Sequence, residues 1–177
     1  MFTDINIQPP RTIMEVFDSL PEGTRAQLIE NNLVMSPAPL SRHQITLDLI
    51  YPELSIYARK KKLGIALTAP TDVYLDKQNA YQPDILFIPN ERLDIIKENG
   101  LYGAPGLIIE ILSPATAKYD LEEKKDVYER SGVTEYWIVD PADNSTTGYY
   151  LVNDEYHEFF KGAGRIESKL LDWQCSF

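Results

Sequence analysis

Cysteine, positive charge and long apolar runs are all scarce in this chain of 177 residues. The single cysteine, Cys175, excludes an internal disulfide and a zinc site built from cysteines. No apolar run approaches the ~20 residues that are needed to span a bilayer, so we expect no contact with the membrane. The N-terminus lacks the basic and apolar pattern of a secretory signal, and we therefore expect a cytoplasmic protein.

The shortage of positive charge bears on nucleic-acid binding. The chain has 17 basic and 27 acidic residues, which gives a formal net charge of −10. Such a chain is poorly suited to tight, nonspecific binding of a nucleic-acid backbone, which depends on a basic surface. The one basic cluster, Arg59-Lys60-Lys61-Lys62, is predicted to be a solvated helix end, with a phosphate-binding patch as the alternative. A phosphate-binding glycine loop and a His-Glu-x-x-His zinc motif are also missing.

What is present is the composition of an ordinary globular protein, with 44% hydrophobic and 25% charged residues. There is no linker, low-complexity tract or internal repeat, and the length fits one domain with a sizeable core. We therefore predict a single α/β domain over residues 1–177.

Apolar periodicity and turn residues predict the individual elements. Helices are expected over Thr12–Leu20, from Ser41 to about Lys62, over Glu91–Lys97, and from a cap at Asp120 to Gly132. Strands are expected at Ile65–Leu75, Gln82–Ile88, Leu107–Leu112 and Glu135–Val139, with hairpins at Gln27–Met35, turning at Asn31-Asn32, and at Tyr149–Phe160, turning at Asn153-Asp154. In the second helix Pro52 is expected to cause a kink or a break, and the predicted apolar face is Ile45, Leu49, Ile50, Leu54 and Tyr57.

Glu110 is the most informative residue in the sequence. It stands alone in the apolar run Gly106–Ser113, which is typical of a central strand buried on both faces. Asp84 stands in the same way near the start of the apolar segment Tyr81–Pro89. Because a bare buried carboxylate is costly, two such acids on core strands predict a shared partner, and a divalent cation fits. Since the two acids would repel each other, Asp84→Asn or Glu110→Gln is expected to leave the fold intact or to stabilise it when no metal is bound.

The helix that follows Asp120 is predicted to carry a lysine toward Glu110. At about 100° per residue, Lys124 falls in the middle of the inward face and Lys125 falls toward its edge. Lys124 is therefore predicted to reach the C-terminal end of the Glu110 strand; a lysine whose stem merely covers the core is the alternative. The inward face is predicted to consist of Leu121, Val127 and Tyr128.

Taken together, these residues resemble the signature of the PD-(D/E)XK nucleases. That signature places a metal-binding acid at the start of one strand and an acid-x-lysine triplet in the next, as in Pro83-Asp84 and Glu110-Ile111-Leu112. Leu112 occupies the lysine position, which is a departure from the pattern. Some members of the superfamily supply the lysine from a neighbouring helix instead, and Lys124 would fit that role.

The resemblance is closer to one branch, the Uma-two family of restriction-endonuclease-like proteins, found mainly in bacteria. It covers the chain from about Gln27 to Phe160 and is specific between Glu110 and Pro141. Gln27 and Asn31 depart from the glutamate and glycine usual in the family. The hallmarks are His43, Gln82-Pro83-Asp84, Ile109-Glu110-Ile111-Leu112-Ser113-Pro114, Asp120 with Lys124 and Tyr128, and Gly132-Val133-Thr134-Glu135-Tyr136-Trp137-Ile138-Val139-Asp140-Pro141.

The resemblance implies a restriction-endonuclease-like α/β fold, with a mixed central sheet flanked by helices and with an N-terminal and a C-terminal β-hairpin. It implies a metal-dependent DNA endonuclease in which Asp84, Glu110 and the Ile111 carbonyl bind Mg²⁺ or Mn²⁺. Lys124 would orient the attacking water or stabilise developing negative charge. A homodimer stays open, since many nucleases of this fold cut both strands that way. The alternatives are two structural acids satisfied by backbone donors, and a non-catalytic interaction protein that keeps the nuclease fold.

Three further residues are secondary candidates. Lys118, in the predicted loop before Asp120, is the reserve catalytic lysine. Asp72 is either a third acid of the cleft or, as we favour, an acid that bonds a turn. His43 either contacts phosphate or assists proton transfer, or, as we favour, is a hydrogen-bonded packing residue.

Overall fold

The structure is a computed structural model that describes residues 10–114 and 117–177, apart from the side chains of Lys118 and Asp120. The helices are α1 (Ile13–Asp18), α2 (Ser41–Lys61), α3 (Ala117–Leu121) and α4 (Glu123–Ser131), and a 3₁₀ helix covers Asn90–Ile95. The strands are β1 (Ala26–Ile29), β2 (Asn32–Met35), β3 (Gly64–Thr68), β4 (Val73–Tyr74), β5 (Ala80–Tyr81), β6 (Ile85–Pro89), β7 (Ile96–Lys97), β8 (Gly100–Tyr102), β9 (Leu107–Ile111), β10 (Glu135–Asp140), β11 (Ser145–Val152), β12 (Glu155–Ala163), β13 (Arg165–Ser168) and β14 (Trp173–Ser176).

The strands form two large mixed sheets and a separate hairpin. The central sheet has the order β12-β11-β10-β9-β6-β3, in which β9 and β10 are parallel and β6 and β9 are antiparallel. The second sheet has the order β2-β1-β5-β4-β8-β7, and β13 pairs with β14. The predicted mixed α/β fold is therefore confirmed. The second sheet was not predicted, and the C-terminal hairpin β11–β12 forms the edge of the central sheet.

Alternation along β9 divides the core into two layers. Ile109 packs in one hydrophobic cluster with Ile50 of α2, whereas Ile108 packs in another with Tyr128 of α4. Because successive side chains of a strand point to opposite faces, Glu110 shares the face of Ile108. The strand therefore directs the Glu110 side chain toward α4.

Helix α2 buries Ile50 and Leu54 as predicted but exposes the N-terminal part of the predicted apolar face. Ile45 and Leu49 are 61% and 48% exposed, so their assignment to the core was wrong. The error has a physical cause: the first turns of α2 border a cleft, and His43 and Gln44 line it, so this part of the helix does not present an apolar face to the core. Pro52 does not divide the helix, and no helix in the described part of the chain is long and apolar enough to cross a membrane. The buried residues of α2 are His43, Thr46, Ile50, Leu54, Ser55 and Ala58.

The turns and breaks of the strands correct two further predictions. In the first hairpin Ile29 pairs with Asn32, so the turn is Glu30-Asn31, one residue earlier than predicted, and both turn residues have the positive φ of 45° and 64° that a two-residue turn of this kind requires. The predicted strand Ile65–Leu75 is divided into β3 and β4 around Pro70, which lacks the N–H needed for a sheet hydrogen bond. The turn at Asn153-Asp154 is confirmed, with φ of 52° and 65°.

The predicted helix from Asp120 to Gly132 is in fact two helices, α3 and α4, separated at Glu122. Asp120 lies within α3 and so does not cap the helix; its side chain lies outside the described residues. Because the break changes the helical phase, Leu121 is 49% exposed rather than inward-facing. Val127 and Tyr128 are fully buried as predicted, and Gly132 ends α4 with a φ of 84°.

Candidate active site

Asp84 and Glu110 lie side by side where β6 begins and β9 ends. The antiparallel register pairs Ile85 with Ile109, and one further step sets Asp84 opposite Glu110. The Asp84 N–H donates to Glu110 Oε2 at 3.4 Å, and the Ile111 N–H donates to Asp84 Oδ2 at 2.8 Å. Strand pairing thus brings together two carboxylates that are far apart in the chain.

Helix α4 presents a lysine and a tyrosine to Glu110. Lys124 Nζ lies 3.0 Å from Glu110 Oε1, and the Tyr128 hydroxyl donates to the same oxygen at 2.7 Å. The four-residue spacing of Lys124 and Tyr128 places them on one face of the helix. The Lys124 and Glu110 side chains are 2% and 3% exposed. Because an unpaired buried charge is costly, each of these two charges stabilises the other. Burial, together with the Glu110 carboxylate, raises the pKa of Tyr128 well above its usual value, which keeps its hydroxyl protonated as a donor.

An aromatic ring completes the surroundings of the lysine. Lys124 Nζ lies 5.8 Å from the centre of the Tyr81 ring, within the range of a cation–π contact. The Tyr81 hydroxyl donates to Asn79 Oδ1 at 2.7 Å, and burial raises the pKa of Tyr81 above its usual value. The ring is therefore neutral and held in place.

His43 contacts Asp84 from the first turn of α2. Its Nε2 lies 3.1 Å from Asp84 Oδ2, and the two side chains are 7% and 18% exposed. Both contacts of the Asp84 carboxylate use Oδ2, so Oδ1 accepts no hydrogen bond from residues 10–114 and 117–177. A buried histidine bonded to a neighbour agrees with the favoured prediction of a hydrogen-bonded packing residue, and its partner is the predicted metal ligand Asp84, whose carboxylate it orients.

A cleft of about 420 Å³ opens over these side chains. Asp84, Glu110 and Lys124 all line it, so the three residues predicted from the sequence share one solvent-accessible site. The other residues lining the cleft are Arg25, Gln27, Ser36, Pro37, Ala38, Pro39, Leu40, His43, Gln44, Leu47, Thr68, Ala69, Pro70, Gln82, Ser113 and Pro114.

Asp72 lies behind the wall of this cleft rather than in it. Gln82, which lines the cleft, donates from Nε2 to Asp72 Oδ1 at 2.8 Å and to the Thr24 carbonyl at 3.2 Å. The Gln82 N–H donates to Gln27 Oε1 at 3.2 Å. Burial raises the pKa of Asp72, although the bond from Gln82 opposes the shift. Asp72 thus orients Gln82, and the structure does not bring it together with Asp84.

The donor set fits Mg²⁺ or Mn²⁺. Within the described ranges, no three His, Cys, Asp or Glu side chains are arranged to hold one ion. Mg²⁺ nevertheless needs only one or two carboxylates, because water and substrate phosphates complete its shell. Asp84 Oδ1 is available, and the amide contact to Glu110 Oε2 is a long one of 3.4 Å. Ile111 contributes its N–H to Asp84; the participation of its carbonyl stays a prediction.

Comparison with known proteins identifies the family. The model of the Uma2 family, described as "Putative restriction endonuclease", matches residues 14–175. The chain belongs to the Uma2 family. Curated protein sequences give no match to this Uma2 chain. Among solved structures it is similar to the crystal structure of a "putative nuclease" from Anabaena variabilis ATCC 29413, with a TM-score of 0.70 and 18% identity over 85% of this chain and 84% of that one. At that identity the likeness shows the fold alone.

The remaining lysines near the Uma2 site are placed differently from Lys124. Lys118 lies in α3 rather than in a loop, and its side chain is outside the described residues. Lys125 Nζ lies 4.3 Å from the centre of the Tyr149 ring. Its contact is therefore with the edge hairpin of the central sheet.

Sequence reasoning missed two partners in the site. Tyr128 was placed on the inward face but was given no contact with Glu110; its four-residue spacing from Lys124 was the available signal. Gln27 was noted only as a departure from the family pattern, yet it is 5% exposed and lines the cleft. Its bond to Gln82 joins two distant segments, and no local pattern indicates it.

Proposed function

We propose that this Uma2 chain is a metal-dependent DNA endonuclease that hydrolyses phosphodiester bonds in the cleft over Asp84 and Glu110. The observation that carries the proposal is the meeting of two carboxylates and a buried lysine in one open cleft. Three separate parts of the chain supply these groups: the residue directly before β6, strand β9 and helix α4. The family description, "Putative restriction endonuclease", supports the same activity.

Asp84 and Glu110 are the residues that would hold Mg²⁺ or Mn²⁺, with the Ile111 carbonyl as a further candidate ligand. When bound, the ion supplies Lewis-acid chemistry: it polarises a phosphodiester and lowers the pKa of an attacking water. His43 holds Asp84 through Oδ2, and Tyr128 holds Glu110 through Oε1. These bonds fix both carboxylates before any ion arrives, which lowers the entropy cost of binding.

Lys124 is the group that would stabilise negative charge on the phosphate as the bond breaks. Its ammonium lines the cleft and is held by Glu110 at 3.0 Å, so it needs no reorganisation during the reaction. A fixed cation in a poorly hydrated wall is worth more than the same charge in water. The lysine thus performs from a helix the task for which the related signature uses the strand position that Leu112 occupies here.

The deciding experiment is a cleavage assay on plasmid and single-stranded DNA across a series of divalent metals. We expect cleavage with Mg²⁺ or Mn²⁺ and none with chelator. Asp84→Asn should abolish it, because the variant keeps the size of the side chain but loses the charge that holds the ion. Asp154→Asn is the matched control: it removes one charge from an exposed turn with a φ of 65°, which asparagine adopts readily.

Melting temperature measured against Mg²⁺ concentration tests the metal site separately from cleavage. An ion that binds only the folded state raises the melting temperature, and Asp84→Asn should remove that increase. A metal-dependent increase without cleavage of any DNA would favour the alternative, a non-catalytic interaction protein with a nuclease fold. The net charge of −10 is the feature that speaks for this alternative. A homodimer that cuts both strands stays a prediction, which light scattering tests.

A further inference from the structure

The arginines of this chain fall into two groups. Most of them already have partners for their side chains: Arg92 donates to backbone carbonyls, Arg130 pairs with Glu30 and Asp76, and Arg59 donates to Ser55. Arg165 pairs with Glu167, and Arg11 also has a partner. In residues 10–114 and 117–177, the two arginines whose side chains make no hydrogen bond or ion pair are Arg25 and Arg42. Both are exposed.

These two arginines lie at the candidate active site. Arg25 lines the cleft that contains Asp84, Glu110 and Lys124. Arg42 lines an adjoining cleft of about 250 Å³. The two clefts share the wall residues Leu40, His43, Ser113 and Pro114, so a chain that passes from one into the other crosses the position of His43 and its partner Asp84.

Local charge at the clefts matters because the chain as a whole repels a polyanion, with a net charge of −10. The basic cluster Lys60–Lys62 lies at the far end of α2, about 27 Å from His43 at 1.5 Å per residue. The first turn of α2, which holds Arg42, contains no acidic residue. A guanidinium with its donors unused offers the planar fork that matches a phosphate group.

We infer that Arg25 and Arg42 bind backbone phosphates of the nucleic-acid substrate next to the bond that is cut. The inference rests on the proposed nuclease function and specifies how an acidic protein holds its substrate. It assigns phosphate binding to two arginines at the clefts and denies it to the lysine cluster at the end of α2.

The test measures DNA binding at a series of salt concentrations. Binding is monitored by the fluorescence anisotropy of a labelled oligonucleotide in the presence of chelator. We expect Arg25→Gln and Arg42→Gln each to raise Kd on the order of tenfold at moderate salt, the effect of losing one bond to a charged group. Each should lower the slope of log Kd against log salt by about 0.9 on duplex DNA or about 0.7 on single strands. Arg25→Lys should keep the slope, because it keeps the charge, and should weaken binding less.

The matched control is the pair Lys60→Gln with Lys61→Gln, compared with the pair Arg25→Gln with Arg42→Gln. Both pairs remove two charges, so an equal loss of slope in the two would show a general charge effect and overturn the inference. A wild-type slope in the arginine pair would overturn it as well.

Cleavage kinetics with Mg²⁺ separate this inference from the proposed function. The arginine variants should raise KM and keep kcat, since they bind substrate and transition state alike. If the wild type cleaves DNA and the arginine pair behaves like the lysine pair, the inference fails alone. If the wild type binds DNA without cleaving it, the proposed activity fails and the salt slope still decides the role of the arginines. If the wild type neither binds nor cleaves DNA, both fail.

Discussion

Two buried glutamates on neighbouring parallel strands meet opposite environments. Glu110 on β9 and Glu135 on β10 are 2% and 0% exposed, so burial does not distinguish them. The partners do: Glu110 accepts bonds from a lysine and a tyrosine and lines an open cleft, whereas Glu135 accepts bonds from the Trp137 indole at 2.6 Å and the Leu170 N–H at 2.7 Å.

Glu135 is a structural acid. Its bond to Leu170 ties the C-terminal segment to the central sheet, and its partners are neutral donors. Burial raises its pKa above the usual value, although the bond from Trp137 opposes the shift. Glu110 differs because its charge is balanced by a cation and because it shares its surroundings with a second acid, Asp84. The two acids thus differ in the charge of their partners and in access to the cleft, and not in burial.

The largest expected effect is on cleavage after each glutamate is neutralised. Glu110→Gln should lower kcat/KM by a factor on the order of 10³ under saturating Mg²⁺, because the proposed site loses one of its two carboxylate ligands. Glu135→Gln should cleave at nearly the wild-type rate, since Glu135 is not one of the described residues that line the cleft. Steady-state kinetics on the two folded variants make the comparison. Equal rates for both would remove the functional distinction between the two acids.

The adjacent lysines provide the next largest effect. Lys124→Ala should lower kcat by a factor on the order of 10² while metal binding persists, because a group that stabilises charge in the transition state is lost. Lys125→Ala should lose only the contact with the Tyr149 ring, which is worth about 0.5–1 kcal/mol at an exposed site. Near-normal rates for both variants would transfer the catalytic role to Lys118 or favour a non-catalytic protein.

Stability measurements support that kinetic test. Lys124→Met keeps most of the side-chain volume but removes the ion pair of the buried Glu110 carboxylate, which costs about 3–5 kcal/mol. The double variant Lys124→Met with Glu110→Gln removes both charges and should recover most of that loss without recovering cleavage. Urea denaturation of the single and double variants measures the coupling. If the double variant is no more stable than the Lys124→Met and Glu110→Gln single variants, the loss of stability does not come from the ion pair between these two residues.

A smaller effect is expected from the tyrosine that supports Glu110. Tyr128→Phe removes the hydroxyl that donates to Glu110 Oε1 at 2.7 Å, and a bond to a charged group contributes about 1.5–3 kcal/mol. We expect a lower melting temperature and a decrease in kcat of about tenfold or less, because the ring still packs and Lys124 still holds Glu110. An unchanged melting temperature would mean that the bond from the Tyr128 hydroxyl to Glu110 makes no net contribution to stability.

The smallest effect is a pH dependence of stability due to Glu135. Its pKa is raised in the folded state, so the folded protein binds a proton more tightly than the unfolded chain does. The contribution of Glu135 is therefore greatest below the ordinary carboxylate pKa and decreases as pH rises through the raised value. The stability of the wild type relative to Glu135→Gln should decrease over that window and then level off. Denaturation at a series of pH values checks this, and a difference that grows with pH would contradict it.

The sequence predicted the strands that build the site better than the helices around them. Strand β9 follows from its apolar run, and the isolated Glu110 already indicated a polar environment. Lys124 was placed correctly because it shares one helical phase with Val127 and Tyr128, whereas Leu121 lies across the break at Glu122 and was placed wrongly. Periodicity is reliable only within one uninterrupted helix.

What could not be predicted depends on contacts between distant segments. The inward face of α2 carries His43, because its first turns border a cleft that His43, Gln44 and Leu47 line. Beyond the predicted hairpin β1–β2, the second sheet uses strands of two or three residues, which are too short to show alternation. The sequence also suggested that neutralising Glu110 would relieve repulsion from Asp84. The ion pair with Lys124 opposes that expectation, because the variant removes the carboxylate charge that lies 3.0 Å from the buried Lys124 Nζ.

Because Lys124 lies on a helix and the two acids lie at paired strands, the lysine and the acids can be displaced independently of each other. The acids are fixed by the backbone ladder between β6 and β9, in the interior of the central sheet. Lys124 belongs to α4, a helix of nine residues that begins directly after a break. Short peripheral helices open at a lower free-energy cost than central strands. Local opening of α4 would withdraw the ammonium while Asp84 and Glu110 stay in place, so amide hydrogen exchange in this helix would report how often the folded protein holds the two carboxylates without the lysine.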